Sequence, residues 1–196
     1  MMKQKKEAIL RTVLEMLSDH TSQTSLTIAN IADKMGIGKS TIYEYFENKE
    51  VIIKEAMFLM VEENLNFILV DNDPKQVGFK ESFYQHLDRS IKIAKDNRMT
   101  EEMMHNIEWI KASNRYREEM IAQLMVFYEK TKAQMTAIFR QGINEGLLDE
   151  NKVKLQSIAL ESMLVGAVVS SATPYNQWIA EDVINHIYRT ILTLCQ

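Results

Sequence analysis

Turn-forming residues are scarce in this chain: six glycines and two prolines in 196 residues, where average usage would supply about 24. Strand-rich folds need such residues every few positions, so the scarcity argues against a turn-rich β protein and favours long helices. The one cysteine, Cys195, has no intrachain partner, which excludes a disulfide scaffold and fits a reducing compartment. Long apolar runs are missing too. The longest, Met163 to Val169, falls far short of the roughly 18 residues a spanning helix requires. At the start, Lys3, Lys5 and Lys6 precede an apolar stretch, but Arg11 and Glu15 interrupt it and no small-residue cleavage site follows, so no signal peptide is expected. The expectation is a soluble, cytoplasmic protein. Net positive charge is also lacking: 23 Lys and Arg face 27 Asp and Glu, a formal charge of −4. That excludes a binder relying on overall basicity, but not a reader with a local basic surface. Residues 1–56 hold 8 basic and 8 acidic side chains, so the acidic excess lies entirely beyond them.

What is present is a globular composition, 46% hydrophobic and 26% charged, patterned for helices. Ile9, Leu10, Val13, Leu14 and Leu17 recur at three- and four-residue spacing, which predicts an amphipathic first helix. Thr27 is placed to cap a second helix carrying Ile28, Ile31, Ala32 and Met35, and Gly36 is placed to stop it in a left-handed turn. A short third helix follows Gly38 and runs through Phe46. Asn48 is the next cap, for a helix from Lys49 to about Val70. Further helices are predicted over about 76–96, 100–113, 115–145 and 151–172, and from Asn176 onward. Gly142 predicts looseness in the last turns of the long helix before Gly146.

Two short helices joined by a glycine turn, with a small residue at their crossing, make a helix-turn-helix. Residues 28–46 satisfy this, with Ala32 at the crossing, Gly36 in the turn, and Ile31, Met35, Ile37 and Ile42 locking the pair. Lys39, Ser40, Thr41, Tyr43, Glu44 and Tyr45 are left to face outward or sideways. Hydroxyls and a lysine suit phosphate and base-edge contacts better than a core. Pattern alone leaves a plain helical hairpin equally open. The run Thr27-Ile28-Ala29-Asn30-Ile31-Ala32, then Gly36-Ile37-Gly38-Lys39-Ser40-Thr41-Ile42-Tyr43-Glu44-Tyr45-Phe46-Glu47-Asn48-Lys49-Glu50, resembles the N-terminal domain of the tetracycline-repressor (TetR) family, over about Ile9 to Ile53. Its distinctive part is Tyr-x-Tyr-Phe followed by Asn-Lys-Glu. The resemblance implies that Thr27, Tyr43, Tyr45 and Lys49 clamp phosphates, while Lys39, Ser40 and Thr41 lie in the major groove with Lys39 as base reader. Two departures are Gly38, where the family often carries a serine cap whose role Ser40 would share, and Glu44, an acid on the DNA-facing helix.

Other chemistry finds less support. Gly36-Ile37-Gly38-Lys39-Ser40 has the tail of a phosphate-binding loop, but Asp33 stands where the first glycine belongs and no strand precedes it. Glu102 and His105 have the Glu-x-x-His spacing of di-metal bundles, yet a second copy is missing. No catalytic constellation can be assembled from four scattered histidines, so neither an enzyme, a cofactor nor a metal is expected.

The resemblance implies an all-α chain in two domains: residues 1–48, a three-helix DNA-binding domain, and residues 49–196, a larger helical domain that binds an effector and dimerises. Candidate effector-lining residues are Phe67, Phe83, Met103, Met104, Ile107, Trp109, Ile110, Leu124, Phe127 and Met163, because methionine and aromatic side chains adapt to apolar ligands. Each suits a dry core equally well. Ser162, Gly166 and Ser170 form a stripe of small residues at four-residue spacing, and Ile184, Ile187 and Ile191 an apolar one on the last helix. Both would meet a second copy in a four-helix interface, or pack within their own chain. The expected partners are a palindromic double-stranded DNA operator, a small largely apolar effector and a second copy of the chain, and no membrane; the function implied is a ligand-released repressor. Alternatives are a regulator of the same fold that activates or answers to a protein, and a helical interaction protein without DNA binding.

Overall fold

The computed structural model describes residues 2–18, 26–69, 77–96, 114–171, 173 and 176–196. Among them are nine helices and no strand: α1 (Met2–Ser18), α2 (Ile28–Met35), α3 (Lys39–Tyr43), α4 (Lys49–Ile68), α5 (Phe79–Asp96), α6 (Arg117–Asn144), α7 (Glu150–Leu155), α8 (Ser157–Ser171) and α9 (Ala180–Cys195). The helix expected over 100–113 lies outside the described residues. The chain divides into two compact units, one from the described residues of 1–63 and 98–127, the other from those of 64–97 and 128–196.

The first unit is an N-terminal helix-turn-helix domain around one core. The apolar stripe of α1 supplies Ile9, Leu10, Val13, Leu14 and Leu17; α2 adds Ile31 and Ala32, α3 adds Ile42, and α4 adds Ile52, Ile53, Ala56 and Met57. Leu26 and Phe46 close the ends, and Met120 of α6 packs against the same cluster. Burial of each large side chain stabilises the fold by about 1.5–3 kcal/mol, far more than the exposed ion pairs that lace α1 to α4. Those are Lys6 with Glu55 at 2.5 Å and Arg11 with Glu63 at 2.5 Å, the kind that contributes about 0–1 kcal/mol each.

The second unit is built on α5, whose Phe79, Phe83, Leu87 and Ile91 repeat every four residues and are all buried. Ile138 and Phe139 of α6, Leu160 and Leu164 of α8, and Ile184, Ile187, Ile191 and Cys195 of α9 complete this core. Phe79, Phe83 and Tyr188 stack with centroids 5.6–6.0 Å apart. The Glu145 carboxylate accepts from the Phe79 amide at 2.9 Å, closing the open N-terminus of α5.

Three local features differ from the sequence expectation. Gly142 is buried in the helix, not loose: a Cβ there would lie 2.8 Å from Leu148 Cδ1 and 2.9 Å from Phe79 Cγ. Its missing side chain is the space those two fill. The helix expected over 151–172 is two helices, because Gln156 adopts φ −90° and ψ 4°, outside helical geometry, and interrupts the run. Asp149 caps the first piece, accepting from the Lys152 amide at 2.9 Å. The last helix begins at Ala180, not Asn176, because the Asn176 side chain accepts from the Trp178 amide at 2.9 Å in a local turn.

A buried imidazole lies in the second unit. His86 of α5 is 5% exposed, with Nδ1 3.2 Å from Oε1 of Gln134 on α6. Burial pushes its imidazole below the ordinary histidine range, with Arg89 adding to this and the Gln134 bond opposing it.

Two consequences are measurable. Gly142→Ala forces a methyl into occupied space and is expected to destabilise the fold by about 1–3 kcal/mol, read by chemical denaturation. His86 protonates more readily in the unfolded chain, so its contribution to stability is lost as pH falls below about 6.5. His86→Gln keeps an amide donor for Gln134. Its melting temperature is therefore expected to fall less than the parent's between about pH 7 and pH 5, and identical profiles would refute this.

Candidate nucleic-acid interface

The candidate interface begins at Thr27, whose extended backbone (φ −125°, ψ 156°) starts α2 and whose Oγ1 accepts from the Asn30 amide at 3.1 Å. Accepting that bond leaves the hydroxyl hydrogen free to donate elsewhere. Ile31 and Ala32 face inward at 0% and 1% exposure. At the far end Gly36 adopts φ 65° and ψ 33°, the Gly36 amide bonds to Asp33 O at 3.1 Å, and the Ile37 amide bonds to Ala32 O at 3.0 Å. That pairing is a Schellman cap, and it reverses the chain where a side chain would strain the backbone.

α3 follows with Gly38 at its N-cap. No side chain caps this end, and the bond that starts the helix is from the Thr41 amide to Gly38 O at 3.0 Å. Ile42 at 0% exposure and Phe46 at 2% fasten the segment to the core. With Ile42 turned in, Lys39, Ser40 and Glu44 are exposed, Thr41 is half-buried, and Tyr43 is 57% exposed, uncommonly open for so large a ring. Tyr45 is half-buried and packs on the core. Asn48 then caps α4, accepting from the Val51 amide at 3.0 Å, and Lys49, half-buried, opens that helix. The surface therefore offers hydroxyls, a lysine and a phenol on a five-residue helix held by apolar residues, a chemistry suited to phosphates and base edges.

The effector candidates among the described residues have different surroundings. Phe83 lies in the second core at 0% exposure and Met163 packs against that core. Phe67 is exposed beneath the Arg89 guanidinium, 5.7 Å from its ring, at the edge of an open hollow also lined by Asn66, Gln85, Asp88 and Lys92. Leu124 is exposed and Phe127 half-buried, both in the first unit. Met103, Met104, Ile107, Trp109 and Ile110 lie outside the described residues, as do Glu102 and His105. Among the described residues no cluster of His, Cys, Asp or Glu is placed to hold a metal, and no helix is long and apolar enough to cross a membrane.

The stripes considered for a second copy fare differently. Ile184, Ile187 and Ile191 are turned into the core of their own chain. Ser162 and Gly166 are exposed and Ser170 half-buried, and nothing lies within 4 Å of a Cβ built at Gly166. Sequence reasoning passed over their apolar neighbours: Ile158, Val165 and Val169 are 81%, 51% and 61% exposed and share one face of α8 at seven- and four-residue steps. α8 is apolar nearly all round, so no polar face marked which residues would stay outside.

Residues 23–56 match the model of bacterial regulatory proteins, tetR family. A segment of the chain is 23% identical over 77 residues to the uncharacterized HTH-type transcriptional regulator YxbF of Bacillus subtilis (strain 168), spanning 39% of this chain and only 20% of that protein. Two solved structures share the fold along nearly the whole chain. One is a TetR family transcriptional regulator, PfmR, of Thermus thermophilus, at TM-score 0.55 and 21% identity over 94% of this chain and 97% of the other. The second is the ketosteroid transcriptional regulator KstR2 of Mycobacterium tuberculosis, at TM-score 0.53 and 15% identity over 98% and 95%.

Proposed function

We propose that this chain, whose residues 23–56 match the model of bacterial regulatory proteins, tetR family, is a DNA-binding transcriptional regulator of that family: a homodimeric repressor, acting in the cytoplasm, that a small, largely apolar effector releases from a palindromic operator. The observation that carries this reading is the contrast on α2 and α3. Ile31, Ala32 and Ile42 are sealed into the core while Lys39, Ser40 and Tyr43 stand exposed. Lys39, Ser40 and Thr41 are the groove residues in this reading, with Lys39 reading a base, and Thr27, Tyr43, Tyr45 and Lys49 hold phosphates. Residues 1–48 form the DNA-binding domain and residues 49–196 the effector and dimer domain.

The second copy is assigned to the outer face of α8, where Ser162, Gly166 and Ser170 permit close backbone approach and Ile158, Val165 and Val169 supply apolar area. A two-fold pair of reading helices then matches the symmetry of a palindrome. An effector that binds more tightly to one arrangement of the pair shifts the population and so the DNA affinity. The continuous helix α4 joins Lys49 at its first residue to Phe67 near its last.

Fluorescence anisotropy with the duplex upstream of its own gene and with a shuffled duplex, at two salt concentrations, tests DNA reading. Tighter binding to the first, weakening steeply with salt, is expected. Tyr43→Phe is expected to weaken all duplexes alike, whereas Lys39→Ala costs about 1–3 kcal/mol at one base position and relaxes preference there. Equal losses across all sequences for both variants would remove Lys39 from base reading. For the dimer, light scattering is expected to give a mass near twice 22.8 kDa, and Val165→Asp to shift it to the single-chain value. A parent protein already at 22.8 kDa would overturn the interface.

A further inference from the structure

The first unit contains a lysine set among aromatic rings and an acid from a distant helix. Lys54, in α4, is only 17% exposed in its side chain, and its Nζ donates to Glu119 Oε2 of α6 at 2.8 Å. The same ammonium lies 4.6 Å from the ring centroid of Tyr116 and 5.9 Å from that of Phe58. Tyr116, immediately before α6, accepts from the Met120 amide at 2.9 Å, and the Arg115 guanidinium lies 5.7 Å from its ring. One residue past Glu119, Met120 packs on the core shared by α1 to α4. The Lys54 end of the pair is largely covered while the Glu119 side chain is 52% exposed, so the ion pair alone contributes little and the aromatic faces against the ammonium add to its hold.

From this geometry we propose that Lys54, with Glu119 and Tyr116, is a clamp that fixes the head of α6 to the DNA-reading unit, making Lys54 a positioning residue for DNA binding. The side-chain contacts carry it, together with Met120 seated on the core of α1 to α4, and they agree with the grouping of the described residues of 98–127 with those of 1–63 as one compact unit. Lys54 lies five residues beyond Lys49, about 7.5 Å along α4 at 1.5 Å per residue. The clamp thus acts on the same rigid helix that opens beside the reading surface. Its effect on DNA rests on the reading of α2 and α3 given above; its effect on α6 does not.

The test uses the full chain. In Lys54→Met, which keeps the length of the side chain, and in Glu119→Gln, amide hydrogen-exchange protection over residues 117–127 is expected to fall about tenfold while that of α1 is unchanged. The exchanged pair Lys54→Glu with Glu119→Lys is expected to recover most of it. Binding to a duplex selected from a random library is expected to weaken about fivefold in both single variants and to recover in the exchanged pair. Loss of affinity in Glu119→Gln is the telling sign, because removing an acid would by charge alone strengthen binding to DNA. Unchanged protection in the single variants, or an equal loss in α1 and α6, overturns the clamp. Protection lost locally with DNA affinity intact overturns the positioning role alone. A parent protein that prefers no duplex overturns the DNA reading, and the exchange data then decide the clamp by themselves.

Discussion

Three side chains, Ile31, Ala32 and Ile42, carry the burden of presenting the outer face of α3. A helix of five residues such as α3 has no stability of its own in water, since nucleation costs more than its few hydrogen bonds return. It persists because Ile42 inserts into a core built by α1 and α4, with Phe46 sealing the exit and Gly36 reversing the chain between α2 and α3. Every exposed group on α3 inherits its direction from that insertion. Ser40 and Tyr43 stand outside because Ile42, between them, stands inside.

The second unit uses a different device. Its aromatic residues, Phe79, Phe83 and Tyr188, fill a core toward which α9 turns Ile184, Ile187, Ile191 and Cys195, leaving Leu194 as its exposed apolar residue. α8 leaves more outside. Leu160 and Leu164 point into the core while Ile158, Val165 and Val169 remain outside, a large exposed apolar face that water disfavours.

The helix-turn-helix was legible to the level of single hydrogen bonds. Thr27, Gly36 and Asn48 are residue types whose local chemistry dictates a cap or a turn wherever they stand at a helix boundary, and each does so here. The second unit was less legible, because its decisive features are contacts between distant parts of the chain. Gly142 reads as a weak helix former until Phe79 and Leu148 are seen to occupy its side-chain space. The isoleucines of α9 read as an interface with a second copy, and only the neighbours of α9 show that they face their own chain. Lys54 gave no signal, since a lysine on an amphipathic helix reads as solvated until Glu119, 65 residues later, is seen beside it.

The close approach at Gly142 also gives this core a history. With Phe79 and Leu148 in place, almost any side chain at position 142 collides at once, whereas a smaller residue at 79 or 148 would first open room for one. The order of substitutions then matters: the same pair of changes is passable in one sequence and barred in the other, because residues sharing one volume do not act additively. Once a larger residue settled at 142, restoring Phe79 would in turn be closed off. One absent methyl group thus makes the drift of this domain directional, and lineages that left the glycine early would carry cores that cannot be exchanged piecemeal with this one.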